Sequence, residues 1–371
     1  MSASTTTLLL HYQLANLTLK NRVVLAPMTR ISATPDGRAT EAMARYYANF
    51  AAGGFGLLIT ESSYTDTAYS QGALNQPGIT NVAQIEAWKT VTDAVHSQGS
   101  KIIAQLAHAG ALSQFTEDTV SSSSYTPEGE RSPIYGSGGA FPTARALTKD
   151  AILELVESFE NAAVNAKKAG FDGVEIHSAN GFLPDQFLTD YTNQRTDEYG
   201  GSLENRLRFL LEIIRAVKAK MANDFVVGVR ISQAKMNNFT YKWPNGDADA
   251  KFIFESLAAA GVDYIHTYEY HSSAPAFGES GPTLAELAKK YSKTTVIVNG
   301  GITEPEEAEG VLNQGGDLVA LAKIALSNPD WPMKVQRGQA VAPFDGQVLA
   351  PQPSIKESEL LPLNRMQARG V

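Results

Sequence analysis

The chain carries an anion-binding pattern at two places where an apolar run meets a helical segment. In NGGITEPEEAE, which begins at Asn299, Gly300 and Gly301 stand directly before a helix start. In ALAKIALSNPDW, Lys323 stands at the junction of an apolar run and a helix. Backbone N–H groups at a helix start bind phosphate, and a nearby lysine adds positive charge. Alone, a Gly-Gly turn is weak evidence, but after the last two strands of a barrel the two places favour a phosphate site over plain tight turns.

An arginine inside another apolar run also points to a ligand. Arg230 lies within VGVRIS, and burial of its guanidinium is costly unless a fixed anion or dipole meets it. A structural ion pair is the alternative. In EIHSANGFLPDQF, which runs from Glu175 to Phe187, His177 and Asn180 stand where an apolar run stops before a glycine. These polar residues can act together only if the fold brings the ends of the runs to one place.

The order of the apolar runs predicts such a fold. Eight short runs rich in β-branched residues alternate with longer segments of helical pattern. The runs begin at Arg22, Gly56, Lys101, Gly173, Val226, Asp263, Thr295 and Leu318. Near-continuous apolarity is typical of strands that are buried on both faces of a parallel sheet. We therefore predict an α/β fold, a (β/α)8 TIM barrel, with an N-terminal hairpin in LLLHYQLANLTLKN that closes the barrel bottom.

In such a barrel, the C-terminal ends of the strands meet at one mouth, where the active site lies. The polar or glycine residues at those ends are Thr29, Ser62, Gln105, His108, His177, Asn180, Arg230, Asn299, Gly300, Gly301 and Lys323. A long segment rich in Ser, Gly and Pro, at about 111–147, follows the third run. Loops of this length are usually functional or disordered. We expect a lid over the mouth, with a mobile surface insertion as the alternative.

Composition excludes several classes of protein. A net charge of −8 argues against nucleic-acid and acidic-membrane partners. Because there is no cysteine, a disulfide, a thiolate nucleophile, an iron–sulfur cluster and a zinc–thiolate site are excluded. The sequence shows no metal-type histidine spacing, GxGxxG motif, signal peptide or membrane-spanning run, so we expect no metal and a cytoplasmic protein. A single domain, 1–371, is predicted, with a C-terminal tail at about 338–371.

Several motifs together resemble the old yellow enzyme family of FMN-dependent ene-reductases. The stretch HSANGFLPDQFLTDYTNQRTDEYGGSLENRLRF, with LAPMTR and QLAHAG, occurs in the family's order, and the resemblance runs from about residue 8 to about 337. It implies non-covalent FMN, NADPH or NADH as reductant, and ping-pong hydride transfer to a small electron-poor alkene such as an enone or a nitroalkene. A homo-oligomer is compatible with it.

The resemblance also implies roles for individual residues. The residues matched to the cofactor site are Pro27, Met28, Thr29, Ser62, Gln105, Arg230, Gly300, Gly301, Ala322 and Lys323. The resemblance implies that the Thr29 hydroxyl bonds a flavin carbonyl and that Arg230 stabilises the anion that reduction creates. It also implies that the last four residues of this set form a phosphate cradle. His177 and Asn180 match the pair of donors that hold a substrate oxygen above the flavin.

At one position the chain departs from the family in a way that affects the chemistry. The family's tyrosine, which gives a proton to the substrate α-carbon, is Phe182 here and has no proton to give. Protonation must then come from water or from Tyr64, Tyr69, Tyr135, Tyr268 or Tyr270. We expect slow reduction of enones and better reduction of nitroalkenes, whose reduced anion needs less help. The family's phosphate-binding arginine and the glycine before it are Lys323 and Ala322.

Two other functions stay open at this point. Loss of the proton donor is compatible with a flavin-dependent isomerase or dehydrogenase on the same scaffold. A flavin-free lyase or isomerase of a phosphorylated substrate would use the same phosphate cradle. A yellow colour of the purified protein separates this last class from the others.

Overall fold

The eight apolar runs form the strands of a closed parallel barrel in a computed structural model, which describes residues 6–221 and 223–361. Barrel strands one to eight are Val23–Leu25, Leu57–Ile59, Lys101–Ala107, Gly173–Asn180, Val226–Lys235, Tyr264–Tyr268, Thr295–Asn299 and Leu318–Leu321. Each strand pairs in parallel with the next, and the eighth pairs with the first, which closes the barrel. The predicted (β/α)8 fold is confirmed.

Helices cover the outside of the barrel. They are Glu41–Ala52, Val82–His96, Lys149–Lys168, Leu183–Leu188, Leu203–Lys220, Asp247–Ala259, Leu284–Ser292, Pro305–Asn313, Lys323–Ser327 and Trp331–Arg337. At several helix starts a short polar side chain accepts a hydrogen bond from the N–H three residues on; these residues are Thr40, Asn81, Thr148, Ser202 and Thr283. The caps satisfy N–H groups that the first turn leaves unpaired, and they define where each loop at the mouth ends.

An N-terminal hairpin closes the end of the barrel opposite the mouth. Its strands, Tyr12–Leu14 and Leu17–Leu19, pair in antiparallel register. The leucines of both strands are buried and pack against the apolar residues inside the barrel. The Tyr12 hydroxyl lies 2.9 Å from Thr295 Oγ1, at the start of strand seven. The hairpin is therefore present at the predicted place.

The segment after strand three is folded and contributes to the wall of the mouth. It contains a 3-10 helix and four short strands: Gly110–Leu112, Val120–Ser121, Glu130–Arg131, Gly139–Ala140 and Arg145–Ala146. Backbone hydrogen bonds tie it to the loop after strand two, from Gln114 N to Gly72 O at 2.8 Å and from Leu74 N to Tyr135 O at 2.7 Å. We refer to 111–147 as the lid.

The C-terminal segment is anchored beside the mouth by Arg30, which follows strand one. The guanidinium has no exposed surface and lies 2.7 Å from both carboxylate oxygens of Glu359. Arg30 Nε also donates to the carbonyl of Pro353 at 2.8 Å. A bidentate pair of this kind is among the strongest hydrogen-bonded contacts in proteins. It holds the short helices Gly346–Leu349 and Glu357–Leu360 against the barrel.

No helix among the described residues combines the length and the apolar character needed to cross a bilayer. Within 6–221 and 223–361, no three His, Asp or Glu side chains are grouped so that they could hold a metal ion.

Candidate active site

The carboxyl ends of the barrel strands surround a cleft made of two adjoining cavities, of about 150 and 430 Å³. The predicted site residues that line one or both cavities are Pro27, Met28, Thr29, Ser62, Gln105, His177, Asn180, Phe182, Arg230, Ala322 and Lys323. Gly300 and Gly301 line a neighbouring cavity, directly after Asn299 of the cleft. His108 is fully buried and lines neither cavity of the cleft; its Nδ1 accepts from Gly110 N at 3.0 Å.

A tight turn at the end of strand four holds His177 and Asn180 at the mouth. Asn180 has a φ of 61°, a left-handed conformation that asparagine adopts more readily than most residues. Its backbone N–H donates to Ser232 Oγ at 2.9 Å. Gly181 follows with a φ of 84°, and a Cβ there would lie 2.7 Å from Leu112. This turn accounts for the Asn-Gly pair in the sequence and brings the Asn180 side chain to the wall of the cleft.

The His177 ring is neutral and lies against Phe182. Burial lowers the pKa of His177 to about 3, and the charge of Arg230 adds to this effect. A neutral imidazole keeps one N–H donor. The buried Nδ1 atom has no hydrogen-bond partner in the described part of the chain. The His177 and Phe182 ring centroids are 4.3 Å apart, so packing rather than hydrogen bonding orients the imidazole.

Arg230 places a positive charge in the wall of both cavities. It is 6% exposed, and its Nη2 donates to Asn299 Oδ1 at 2.7 Å. The Tyr268 ring lies 5.0 Å from the guanidinium carbon, and among the described residues the buried Nε has no partner. A buried cation with an unused donor is costly without a ligand. Arg230 therefore fits a ligand that is anionic or rich in hydrogen-bond acceptors, such as the polar edge of a flavin.

The loops after strands seven and eight form the other end of the cleft. Gly300 has a φ of 137°, and a Cβ there would collide with the carbonyl oxygen of Glu269, so only glycine fits. Ala322 precedes the short helix that Lys323 begins, and the exposed Lys323 side chain lines the larger cavity. A close backbone turn beside an exposed ammonium fits a phosphate group. The two ends of the cleft together fit FMN.

The five tyrosines considered as proton donors lie in different surroundings. Tyr135 of the lid lines both cavities, while Tyr268 and Tyr270 line only the larger one. Tyr64 lies outside the cleft, where its hydroxyl accepts from Gln84 Nε2 at 2.7 Å. Tyr69 also lies outside it, under the guanidinium of Arg145. Of these residues, only Tyr135 shares the smaller cavity with the donor pair.

A charged residue that contacts the site from the barrel interior was missed by the sequence analysis. Glu175 lies inside the barrel, fully buried, and accepts a hydrogen bond from Gln105 Nε2 at 2.8 Å. The sequence did contain evidence for such a residue, because a carboxylate inside the apolar run GVEIHSA is as unusual as an arginine inside VGVRIS.

The closed (β/α)8 barrel places this cleft at its mouth, where barrel enzymes have their active sites, and comparison with known proteins assigns the family. Residues 11–341 match the NADH:flavin oxidoreductase / NADH oxidase family. The chain is 40% identical to 12-oxophytodienoate reductase 7 of Oryza sativa subsp. japonica, over 86% of this chain and 85% of that protein. It is 37% identical to a chanoclavine-I aldehyde reductase of Penicillium roqueforti, over 88% of each.

Solved structures show the same relationship. The old yellow enzyme homologue from Zymomonas mobilis has a TM-score of 0.81 and 32% identity, over 91% of this chain and 94% of that one. Morphinone reductase in complex with tetrahydroNAD has a TM-score of 0.81 and 33% identity, over 92% and 93%. The chain therefore belongs to the NADH:flavin oxidoreductase / NADH oxidase family, as the motifs predicted.

Proposed function

We propose that the chain binds FMN in the cleft and uses NADH or NADPH to reduce C=C bonds that are activated by a carbonyl or nitro group. One observation carries the proposal: His177 and Asn180, whose side chains make no hydrogen bond to the described residues, line the same cavity as Gln105 and Arg230. Family membership supports the flavin. The tetrahydroNAD complex of morphinone reductase supports a nicotinamide reductant.

Bound FMN would supply the hydride that adds to the substrate β-carbon. His177 and Asn180 would hold the carbonyl or nitro oxygen, which gains negative charge as the hydride arrives. Because the turn at Asn180 and the packing on Phe182 fix both donors beforehand, they stabilise that charge with little rearrangement. Thr29 and Gln105, on the same wall, would hydrogen-bond the polar edge of the cofactor.

The proton that completes the reduction would come from Tyr135 or from water in the cleft. Phe182 lines the cavity with a ring that has no acidic proton. Tyr135 lines both cavities, and its backbone is held by Leu74 N. Burial raises the pKa of Tyr135 above its ordinary value, so the phenol stays protonated at neutral pH and retains a proton to give.

Phe182 also favours a second candidate, a flavin-dependent isomerase or dehydrogenase. Without a strong acid beside the donor pair, the negative charge on the substrate persists longer after hydride transfer. The β-carbon could then rotate and give a hydride back to the flavin, which isomerises the alkene. In a dehydrogenase, the hydride would instead pass from a saturated substrate to the flavin, and no acid would be needed at position 182. Product analysis separates these outcomes from net reduction.

An anaerobic reoxidation experiment tests the proposal. The flavin of the purified protein is reduced with light or dithionite, and then cyclohexenone and a nitroalkene are added in separate runs. We expect the oxidised-flavin absorbance to return with both, faster with the nitroalkene, and the saturated product to form. Reduction by NADH and by NADPH is compared in the same cell. A protein that carries no flavin and takes none up contradicts the proposal, and a flavin that neither alkene reoxidises supports the second candidate.

Substitution of Lys323 tests the phosphate end of the cleft. We expect Lys323→Ala to raise the FMN dissociation constant about tenfold, because a charged hydrogen bond to phosphate is lost at an exposed position. Lys323→Arg restores or improves affinity through a bidentate contact. Affinity is measured by quenching of flavin fluorescence on addition to apoprotein. Lys89→Ala, which removes an exposed charge on the outer helix Val82–His96, is the matched control. An unchanged dissociation constant in Lys323→Ala would place the phosphate elsewhere.

A further inference from the structure

Glu175 holds together a buried polar cluster one layer below the donor pair. It faces the barrel interior from strand four, two residues before His177, and has no exposed surface. Its Oε1 accepts from Gln105 Nε2 at 2.8 Å. Its Oε2 accepts from the Tyr264 hydroxyl at 3.1 Å and lies 2.8 Å from His266 Nδ1. One carboxylate thus joins side chains from strands three and six.

The backbone makes room for this cluster. Gly228 of strand five lies beside Glu175 on one side and beside Tyr264 on the other. A Cβ at Gly228 would collide with the Tyr264 ring, so the glycine lets the phenol cross strand five to reach the carboxylate. Barrel interiors are usually filled by apolar layers, and a buried carboxylate there is costly unless it is well satisfied.

The cluster carries one negative charge. Burial raises the pKa of Glu175, but the hydrogen bond of His266, the charge of Arg230 and the hydrogen bond from Gln105 outweigh it, and the pKa lies below its ordinary value. Burial lowers the pKa of His266, so that ring is neutral at physiological pH. The neutral ring then donates its Nδ1–H to the carboxylate, which has no proton of its own to give.

This charge has two consequences for the cleft. An ionised carboxylate only accepts, so the –NH₂ group of Gln105 must face Glu175, which leaves the amide oxygen of Gln105 available to the cleft. The carboxylate also interacts with Arg230, a cation of the cleft wall. The negative charge of Glu175, inside the barrel, therefore partly offsets the positive potential that Arg230 presents to a ligand.

We propose that Glu175 is a positioning residue of the cofactor site, which orients the Gln105 amide and lowers the reduction potential of the bound flavin. This inference rests on the proposed FMN site. Two-electron reduction at neutral pH adds negative charge to a flavin, which Arg230 stabilises and Glu175 opposes. A lower potential makes the reduced cofactor a stronger hydride donor to the alkene. The carboxylate thus favours hydride transfer from the reduced flavin to the alkene. This is the half-reaction for which Phe182 supplies no proton.

The reduction potential of the bound flavin tests this role, because it responds to charge and not to fold stability alone. In Glu175→Gln we expect the reduction equilibrium to shift about tenfold towards reduced flavin, which is about +30 mV for a two-electron couple. Reduction by NADPH then becomes faster and reoxidation by cyclohexenone slower. In Tyr264→Phe the carboxylate loses one donor and its charge is less dispersed, so we expect a smaller shift of the opposite sign.

The potential is measured by slow photoreduction against a reference dye, with Glu86→Gln as a control that removes a surface carboxylate on an outer helix. Unchanged reduction potentials in Glu175→Gln and Tyr264→Phe overturn the inference about Glu175. If the wild-type protein nevertheless binds FMN, the proposed function stands. If Glu175→Gln does not fold, the negative shift in Tyr264→Phe decides alone. A wild-type protein that binds no FMN overturns the proposed function and this inference together.

Discussion

We expect His177→Ala to slow reoxidation of the reduced flavin by cyclohexenone about 10²–10³-fold, the usual loss when one preorganised donor to a developing oxyanion is removed. The imidazole touches the cleft but makes no hydrogen bond to the described residues, so its removal leaves no protein group unpaired. The affinity for FMN should stay within a few fold of wild type, because the proposed cofactor contacts lie on other strands. The rate is measured by anaerobic stopped-flow absorbance.

Two further substitutions at position 177 separate the contribution of hydrogen bonding to the substrate from that of packing against Phe182. His177→Asn keeps an N–H and should recover much of the rate, whereas His177→Leu keeps bulk against Phe182 and should not. Because burial lowers the pKa of His177 to about 3, the donor stays neutral, and the wild-type rate should show no step near the pKa of ordinary histidine. A His177→Ala rate within threefold of wild type would contradict the role of this residue.

The barrel could be predicted because its evidence is local. Each of the eight strands is an apolar run that can be recognised within a few residues, and strand ends in this fold converge by topology. Arg230 could be singled out for the same reason, since a guanidinium in VGVRIS is anomalous without reference to any other residue. The partner of Arg230 could not be predicted from the sequence. Asn299 lies two strands away, and the hydrogen bond between the two side chains depends on the register of the barrel strands.

The cluster around Glu175 and the anchor of the C-terminal segment show the limit of local evidence. Glu175 is as unusual in its apolar run as Arg230 is in its own, so the sequence alone could single it out. Its partners Gln105, Tyr264 and His266 become neighbours only through the packing of the barrel interior. The pair formed by Arg30 and Glu359 is separated by 329 positions in the chain. Nothing near either residue indicates the other.

The five tyrosines illustrate the same point for the lid. The sequence placed all of them near strand-end loops, and no local pattern ranked them. The folded lid brings Tyr135 to the cavity of the donor pair, since Tyr135 N bonds Ser132 O at 3.1 Å and Tyr135 O accepts from Leu74 N. Tyr135 thus becomes the proposed alternative to the missing acid at position 182, and the two positions can be tested against each other.

We expect Phe182→Tyr to raise turnover of cyclohexenone on the order of 10²-fold, with a much smaller effect on a nitroalkene. A positioned general acid contributes about this much where proton transfer limits the rate. The Phe182 ring is half-buried and lines the cleft, so the added hydroxyl enters a cavity rather than packed protein. The measurement is steady-state turnover in H₂O and D₂O, because a solvent isotope effect should fall as protonation ceases to limit.

Tyr135→Phe completes this test by removing the other phenol. If Tyr135 supplies the proton, Tyr135→Phe lowers enone turnover in the wild-type background, and the Phe182→Tyr/Tyr135→Phe double variant recovers it. If water supplies the proton, Tyr135→Phe changes little and Phe182→Tyr still accelerates the enone. Unchanged turnover in Phe182→Tyr would show that protonation is not the slow step, and with it the expected preference for nitroalkenes over enones would lose its physical basis. Residue 182 would then act on the donor pair through the packing of its ring against His177.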